Sequence, residues 1–287
     1  MRPFRSVLYM PGSNQRALEK AQNLAADALI LDLEDAVAPD AKQTGRELIA
    51  KAVNEGGYGN RYLIVRINSF DTEWGADDLE GIADCKPDAI LLPKVDTAED
   101  ITDLGAKMGN HPNFNETKIW AMMETSKGIL NAASIATSSD RLEGFVLGTN
   151  DLVKEMHALH TPDRAPVLTA LSLSIMAARA NNLICVDGVY NDIKNIDGLK
   201  EQAKQGRALG FDGMTLIHPA QLETANEVYA PSPAELQEAE SFVSAYKEAL
   251  SQGKAVAVVN GRIVENLHVE NAERLLAQAE AIKAMSS

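Results

Sequence analysis

The chain has 287 residues, with 27 Lys+Arg against 41 Asp+Glu and a formal charge of −14; 45% is hydrophobic and 24% charged. This composition excludes a disordered chain, and its acidic balance speaks against a nucleic-acid partner, which needs a basic face. No apolar run approaches the ~20 residues that span a bilayer. The first thirteen residues carry no long apolar signal core and read straight into a strand.

In chain order, short apolar runs recur at Ser6–Met10, Ala28–Glu34, Tyr62–Asn68, Ala89–Val95, Lys118–Glu124, Gly144–Asn150, Asn182–Gly188 and Gly213–Pro219. Between them lie segments of helical period, such as Arg16–Ala25 and Asp40–Asn54. Near-continuous apolar strands are buried on both faces, hence parallel with helices outside. Eight strand–helix units in succession predict an α/β fold, a TIM (β/α)8 barrel over residues 1–230. A doubly wound sheet is the competing architecture, weakened by the absence of GxGxxG after the first strand. Ala230-Pro-Ser-Pro233 then breaks the pattern. Residues 231–287 read as a C-terminal helical extension: a helix at Ala234–Gln252, a short strand at Ala255–Asn260, a turn at Asn260-Gly261 and a helix at Val269–Met285. The extension packs on its own barrel or reaches a neighbouring subunit. Cys85 and Cys185 form no CxxC, which excludes a disulfide framework and a cysteine-built zinc site and fits a reducing cytoplasm.

Active sites of such barrels lie at the C-terminal ends of the strands. Here those ends read Asp32-Leu-Glu34-Asp35, Arg66-Ile-Asn68, Pro93-Lys94, Met123-Glu124-Thr125, Gly148-Thr-Asn150-Asp151, Asp187-Gly188 and His218-Pro219. So many charged ends crowded into one mouth need partners or a metal. Glu124 and Asp151, from adjacent strands, form a natural Mg²⁺ pair, with waters and substrate oxygens completing the shell; the alternative is two carboxylates paired with Arg or Lys. Asp32, Glu34 and Asp35 read as supporting or structural acids rather than direct ligands. Arg66 ends an apolar strand and suits an oxyanion clamp, or equally a salt bridge to those acids. The Pro11–Asn14 loop leads into a helix start within a locally basic stretch (Arg2, Arg5, Arg16, Lys20), a place where a phosphate could dock; it also reads as a simple turn.

Other patterns carry less. Glu155-Met-His157-Ala-Leu-His160 is not HExxH and reads as a solvated helix or loop. There is no GxSxG elbow and no Walker A motif. Cys185 reads as a buried small hydrophobe, and Trp74 and Trp120 as packing residues.

Taken together, Arg5-Ser6…Pro11-Gly12, Asp32-Leu-Glu-Asp-Ala-Val37, Arg66-Ile-Asn68, Leu92-Pro-Lys-Val95, Met123-Glu-Thr125…Gly128, Gly148-Thr-Asn-Asp-Leu152, Asp187-Gly188 and Ile217-His-Pro-Ala-Gln221 resemble the HpcH/HpaI aldolase superfamily, in its citrate-lyase-β-like branch, over essentially the whole length. The resemblance implies a TIM barrel, acyl-CoA binding and a homo-oligomer, trimer or hexamer. It implies Mg²⁺, with Mn²⁺ as a substitute, on Glu124 and Asp151. It makes Arg66 the substrate clamp and sets the Asn150-Asp151 backbone along the substrate. Tyr9, Asn14, Lys20, Ile217 and His218 fall at CoA-binding positions, although Asn14 stands where malyl-CoA lyases commonly carry Arg.

Lyases of the branch carry a catalytic Asp in the C-terminal segment, usually delivered to a neighbouring subunit's site. The matching stretch here, Gly261-Arg-Ile-Val264-Glu265, offers Glu265, one methylene longer. Because placement governs proton transfer, the longer arm favours a water over a substrate hydroxyl. The activity implied is Mg²⁺-dependent hydrolysis of (3S)-malyl-CoA to malate and free CoA, with Glu265 as general base. The alternatives are a malyl-CoA, β-methylmalyl-CoA or citramalyl-CoA lyase using the same parts, and a citrate lyase β-type subunit of a complex.

Overall fold

Eight parallel strands close on themselves in sequence order in the computed structural model, which describes residues 2–286. They are β1 (Ser6–Pro11), β2 (Ala28–Asp32), β3 (Tyr62–Arg66), β4 (Ala89–Leu92), β5 (Lys118–Met123), β6 (Leu142–Leu147), β7 (Ile184–Asp187) and β8 (Gly213–Leu216). The ring shuts through Ser6–Leu8 of β1 pairing with Met214–Leu216 of β8. Helices fill the crossovers: α1 (Gln15–Ala21), α2 (Lys42–Glu55), α3 (Gly75–Gly81), α4 (Ala98–Met108), α5 (Ser126–Leu130), α6 (Ala132–Ala136), α7 (Thr149–Glu155), α8 (Leu168–Ala180) and α9 (Ile196–Leu209), with α10 (Leu222–Tyr229) after β8.

Every expected strand is present, but most end two or three residues short of the apolar run. The run outlasts the ladder because the first residues of the mouth, such as Leu33 and Ile67, are themselves fully buried. On β6 the shift is at the start: Leu142 already pairs with Ile119, and the register slips between Ile119 and Trp120. The expected helix at Asp40–Asn54 opens with a 3₁₀ turn, Pro39–Ala41, before α2.

Strand alternation decides what enters the lumen. Val7, Ala28, Ile30, Ile64, Ala89, Leu91, Trp120, Met122, Val146 and Val186 form the buried core inside the ring. Below them Phe4, Tyr62 and Trp120 pack at ring separations of 5.2–6.2 Å. Tyr62 and Trp120 both donate to the same oxygen of Glu143 there. Continuing the period of two upward from this core gives Asp32 on β2, Arg66 on β3, Glu124 after β5 and Gly148 after β6. The charged rung of the mouth is the next layer of the barrel's own side-chain stack.

A second compact unit comprises residues 227–286 with residues 2–3, and the first spans Phe4–Asn226. In the second, α11 (Pro233–Ser251) starts at a capping box, in which Ser232 N–H donates to Glu235 and Glu235 N–H to Ser232 Oγ. The hairpin β9 (Ala257–Val259) and β10 (Arg262–Val264) turns through Asn260 and Gly261, both at positive φ (49° and 77°), the pattern of a type I′ turn. Val264 is fully buried against Ala249, Ala257 and Val269. The final helix is α12 (Asn266–Ser286). No helix among the described residues is long and apolar enough to cross a membrane.

Candidate active site at the barrel mouth

The strongest fixed geometry in the mouth joins neighbouring strands. Asp32 and Arg66 are paired in the β2–β3 ladder, so both side chains leave the sheet on the same face. Arg66 Nε donates to Asp32 Oδ1 at 2.7 Å and Nη2 to Oδ2 at 2.6 Å. The remaining nitrogen, Nη1, lies 2.7 Å from Glu34 Oε2 and 3.8 Å from Met122 Sδ, and the guanidinium stacks 4.8 Å over the Tyr9 ring. The salt bridge anticipated for Arg66 therefore exists, and it directs Nη1 toward the mouth. Burial, together with the acids nearby, holds the Tyr9 hydroxyl above its ordinary range.

The acid loop is held from behind. Lys42, at the start of α2, donates to the carbonyls of Leu33 (2.6 Å) and Glu34 (2.8 Å) and to Asn68 Oδ1 (3.0 Å). Asn68 donates onward to Asp78, which also accepts from Arg46. All four are buried. Lys42, Arg46 and Asp78 escape sequence reading because their partners lie on other elements and no local spacing marks them.

Glu124 is 2% exposed, and its Oε1 accepts from the Lys94 N–H at 2.8 Å. Lys94 presents that N–H from a left-handed backbone, φ 52°; such strain on a non-glycine residue gathers at functional sites. Opposite, a side chain on Gly148 would collide with Cβ and Oε2 of Glu124, so only glycine leaves the carboxylate its room. Burial pushes the Glu124 carboxyl up to about 8, reinforced by the charges of Glu34 and Asp151 and opposed by the Lys94 hydrogen bond and Arg66. Burial likewise raises Glu34 to about 7, against Arg66 and Lys94. Glu34 Oε2 accepts no hydrogen bond despite its ion pair with Arg66. Buried carboxylates that repel one another in this way fit a bound cation.

Asp151 lies in the first turn of α7, half-buried. Among the described residues no group of three or more His, Cys, Asp or Glu could hold a metal. The donor set is two carboxylates, which fits a hard divalent ion that keeps several waters.

Of the expected CoA contacts, Tyr9 lies inside the barrel, packed on the lumenal core beneath Arg66. Asn14 caps α1, its side chain accepting from the Ala17 N–H at 3.1 Å, so part of that helix start is already satisfied. Lys20 is exposed in the last turn of α1. Asn150 exchanges two side-chain hydrogen bonds with Asn191, of 3.1 and 2.8 Å. Ile217 and His218 follow β8 directly, and both are exposed. Glu265 belongs to the C-terminal unit, exposed, where its carbonyl accepts from His268 N–H ahead of α12.

One strand end does not serve the mouth. Asp187 alternates with lumenal Val186 and so points outward, fully buried, with both its oxygens 2.7 Å from Arg164 Nη1. It is a structural ion pair. Cys185 shares that outward face and is fully buried, its thiol pushed well up by burial. His157 lies beyond the end of α7, exposed and in a left-handed conformation.

The HpcH/HpaI aldolase/citrate lyase family model matches residues 5–219, from the first strand to the residue after His218. The chain belongs to the HpcH/HpaI aldolase/citrate lyase family. Within the family it is 54% identical over 282 residues to a (3S)-malyl-CoA thioesterase of Cereibacter sphaeroides, covering 98% of this chain and 96% of that one. It is 35% identical to the citrate lyase subunit beta of Escherichia coli strain K12, covering 97% and 94%. Among solved structures it resembles the protein CitE of Mycobacterium tuberculosis in complex with magnesium, acetoacetate and coenzyme A, at TM-score 0.81 and 28% identity, covering 98% of this chain and all of that one.

Proposed function

We propose that this family member is an acyl-CoA thioesterase that hydrolyses (3S)-malyl-CoA to malate and free CoA. What carries the reading is the full-length 54% identity to proteins of that name, in a chain whose barrel mouth holds the buried Glu124 carboxyl near half-buried Asp151 and the Arg66 guanidinium. Glu124 and Asp151 would hold the divalent ion, Mg²⁺ with Mn²⁺ as a substitute. When bound, the ion supplies positive charge to the oxygens of the malyl group.

The chain's own residues divide the remaining work. Asp32 fixes the Arg66 fork, and Nη1 donates to the thioester oxygen as negative charge grows on it during water addition. Glu265 accepts a proton from the attacking water. Collapse of the adduct breaks the C–S bond, and the departing CoA sulfur takes that proton back, leaving malate and a free thiol. Tyr9 supports Arg66 from below. Asn14, Lys20, Ile217 and His218 hold the CoA portion, with Asn150 and Asp151 along the acyl group. The assembly is a homo-oligomer, trimer or hexamer.

Product analysis tests the assignment. Incubation with (3S)-malyl-CoA is expected to release thiol and malate in equal amounts with no glyoxylate. Stoichiometric glyoxylate and acetyl-CoA would instead establish a lyase.

A further inference from the structure

At the rim, the fully buried amide of Gln221 has no part in the chemistry above. Its Oε1 accepts the backbone N–H groups of both Ile217 (3.0 Å) and His218 (3.2 Å), and its Nε2 donates to the Tyr190 carbonyl at 2.9 Å. Its own N–H closes the turn onto the His218 carbonyl at 3.0 Å. One side chain thus ties the residues after β8 to the loop after β7.

The same turn sets the state of the His218 ring. Nδ1 accepts from the Ala220 N–H at 3.1 Å. An imidazole accepting at Nδ1 carries its proton on Nε2, so the exposed ring offers a donor outward. With the Ile217 and His218 N–H groups turned inward onto Gln221, a polar group that this corner presents outward is that Nε2–H.

We propose that Gln221 is the positioning residue of the CoA subsite, fixing the Ile217–His218 backbone so that neutral His218 donates from Nε2 to an acceptor oxygen of the CoA chain. This rests on the reading above that Ile217 and His218 hold CoA. An apolar side chain would leave two buried N–H groups and a carbonyl unpaired. A glutamic acid in its protonated form, which burial favours, would keep all three partners, its O–H donating to the Tyr190 carbonyl in place of the amide.

The test compares the wild type with Gln221→Leu, Gln221→Glu and His218→Phe, reading CoA affinity by calorimetry, KM and kcat with malyl-CoA, Mg²⁺ affinity and the unfolding midpoint. Gln221→Leu and His218→Phe are expected to weaken CoA binding and raise KM about tenfold, with kcat falling less than about threefold. Gln221→Glu should stay within about threefold of wild-type affinity, and Mg²⁺ affinity should be the same in all. His218→Phe leaves the buried amide untouched, so it tests the Nε2 donor even where Gln221→Leu does not fold, and Gln221→Glu then tests the turn itself, a loss of CoA affinity there overturning the inference. Wild-type CoA affinity in His218→Phe, or a Gln221→Leu protein with a lowered midpoint and normal CoA affinity, overturns the inference. A wild type that hydrolyses malyl-CoA while the variants bind CoA normally overturns this inference alone. A wild type that binds no CoA overturns the functional reading itself.

Discussion

Asp32 grips Arg66 through two near-parallel hydrogen bonds, 2.7 Å to Nε and 2.6 Å to Nη2, with both residues almost fully buried. The pair is built into the barrel, since the two are register partners on β2 and β3. Removing Asp32 leaves Nε and Nη2 of buried Arg66 unpaired, with Glu34 on Nη1 as its close counter-charge. Asp32→Ala is expected to cost about 3–5 kcal/mol in chemical denaturation. Arg66→Lys keeps the charge but loses the planar fork, and kcat/KM should fall about 10²–10³-fold while the fold persists.

Gly148 is a second point of leverage. Any added side chain meets Cβ and Oε2 of Glu124, which is packed too tightly to yield. Gly148→Ala should therefore lower Mg²⁺ affinity about 10–100-fold, read by calorimetry, with a near-normal circular dichroism spectrum.

The raised carboxyls of Glu124 (about 8) and Glu34 (about 7) give the metal-free protein a defined pH dependence. Both lie above the ordinary value of 4.5, so the folded state binds protons that the unfolded chain has lost. Their contribution to stability is complete below pH 4.5 and disappears as pH climbs through 7 and 8. In EDTA, stability should fall from pH 6 to pH 9 by about 4 kcal/mol. Saturating Mg²⁺ should flatten that slope, because binding favours the deprotonated carboxylates. Glu124→Gln should remove the larger part of it without metal, leaving the share of Glu34 below about pH 7. A slope unchanged in that variant would remove Glu124 as its source.

Glu265 is tested by charge and by mixing. Glu265→Gln should lower thiol release from malyl-CoA about 10²–10⁴-fold, with Mg²⁺ affinity unaltered, and Glu265→Asp should recover part of the rate. Co-refolding Glu265→Gln with Arg66→Lys subunits shows which copy supplies the base. Restored turnover in the mixture means a partner chain delivers it, and none means each chain serves itself.

The barrel was readable from its residues because eight apolar runs, each followed by a helical stretch, leave little else to build. The mouth was readable from the same runs, since Asp32, Arg66 and Glu124 continue the lumenal alternation. Asp187 shows where strand ends alone mislead: it is off by one in phase, so it faces Arg164 rather than ligand. The buried supports were illegible for a different reason. Lys42 reaches Asn68 across 26 positions, and Gln221 reaches Tyr190 across 31. Separations of that kind leave no local periodicity to detect.

The two-residue alternation of β3 also governs which genetic changes this enzyme survives. One residue inserted below Arg66 would put Leu63 and Val65 on the inner wall in place of Tyr62 and Ile64, taking the Tyr62 ring from its packing with Phe4 and Trp120. The guanidinium would swing to the helix side too and leave Asp32 behind. Single-codon insertions within the staves thus break the buried ion pair and the chemistry together, whereas point changes at the rim can retune the chemistry stepwise.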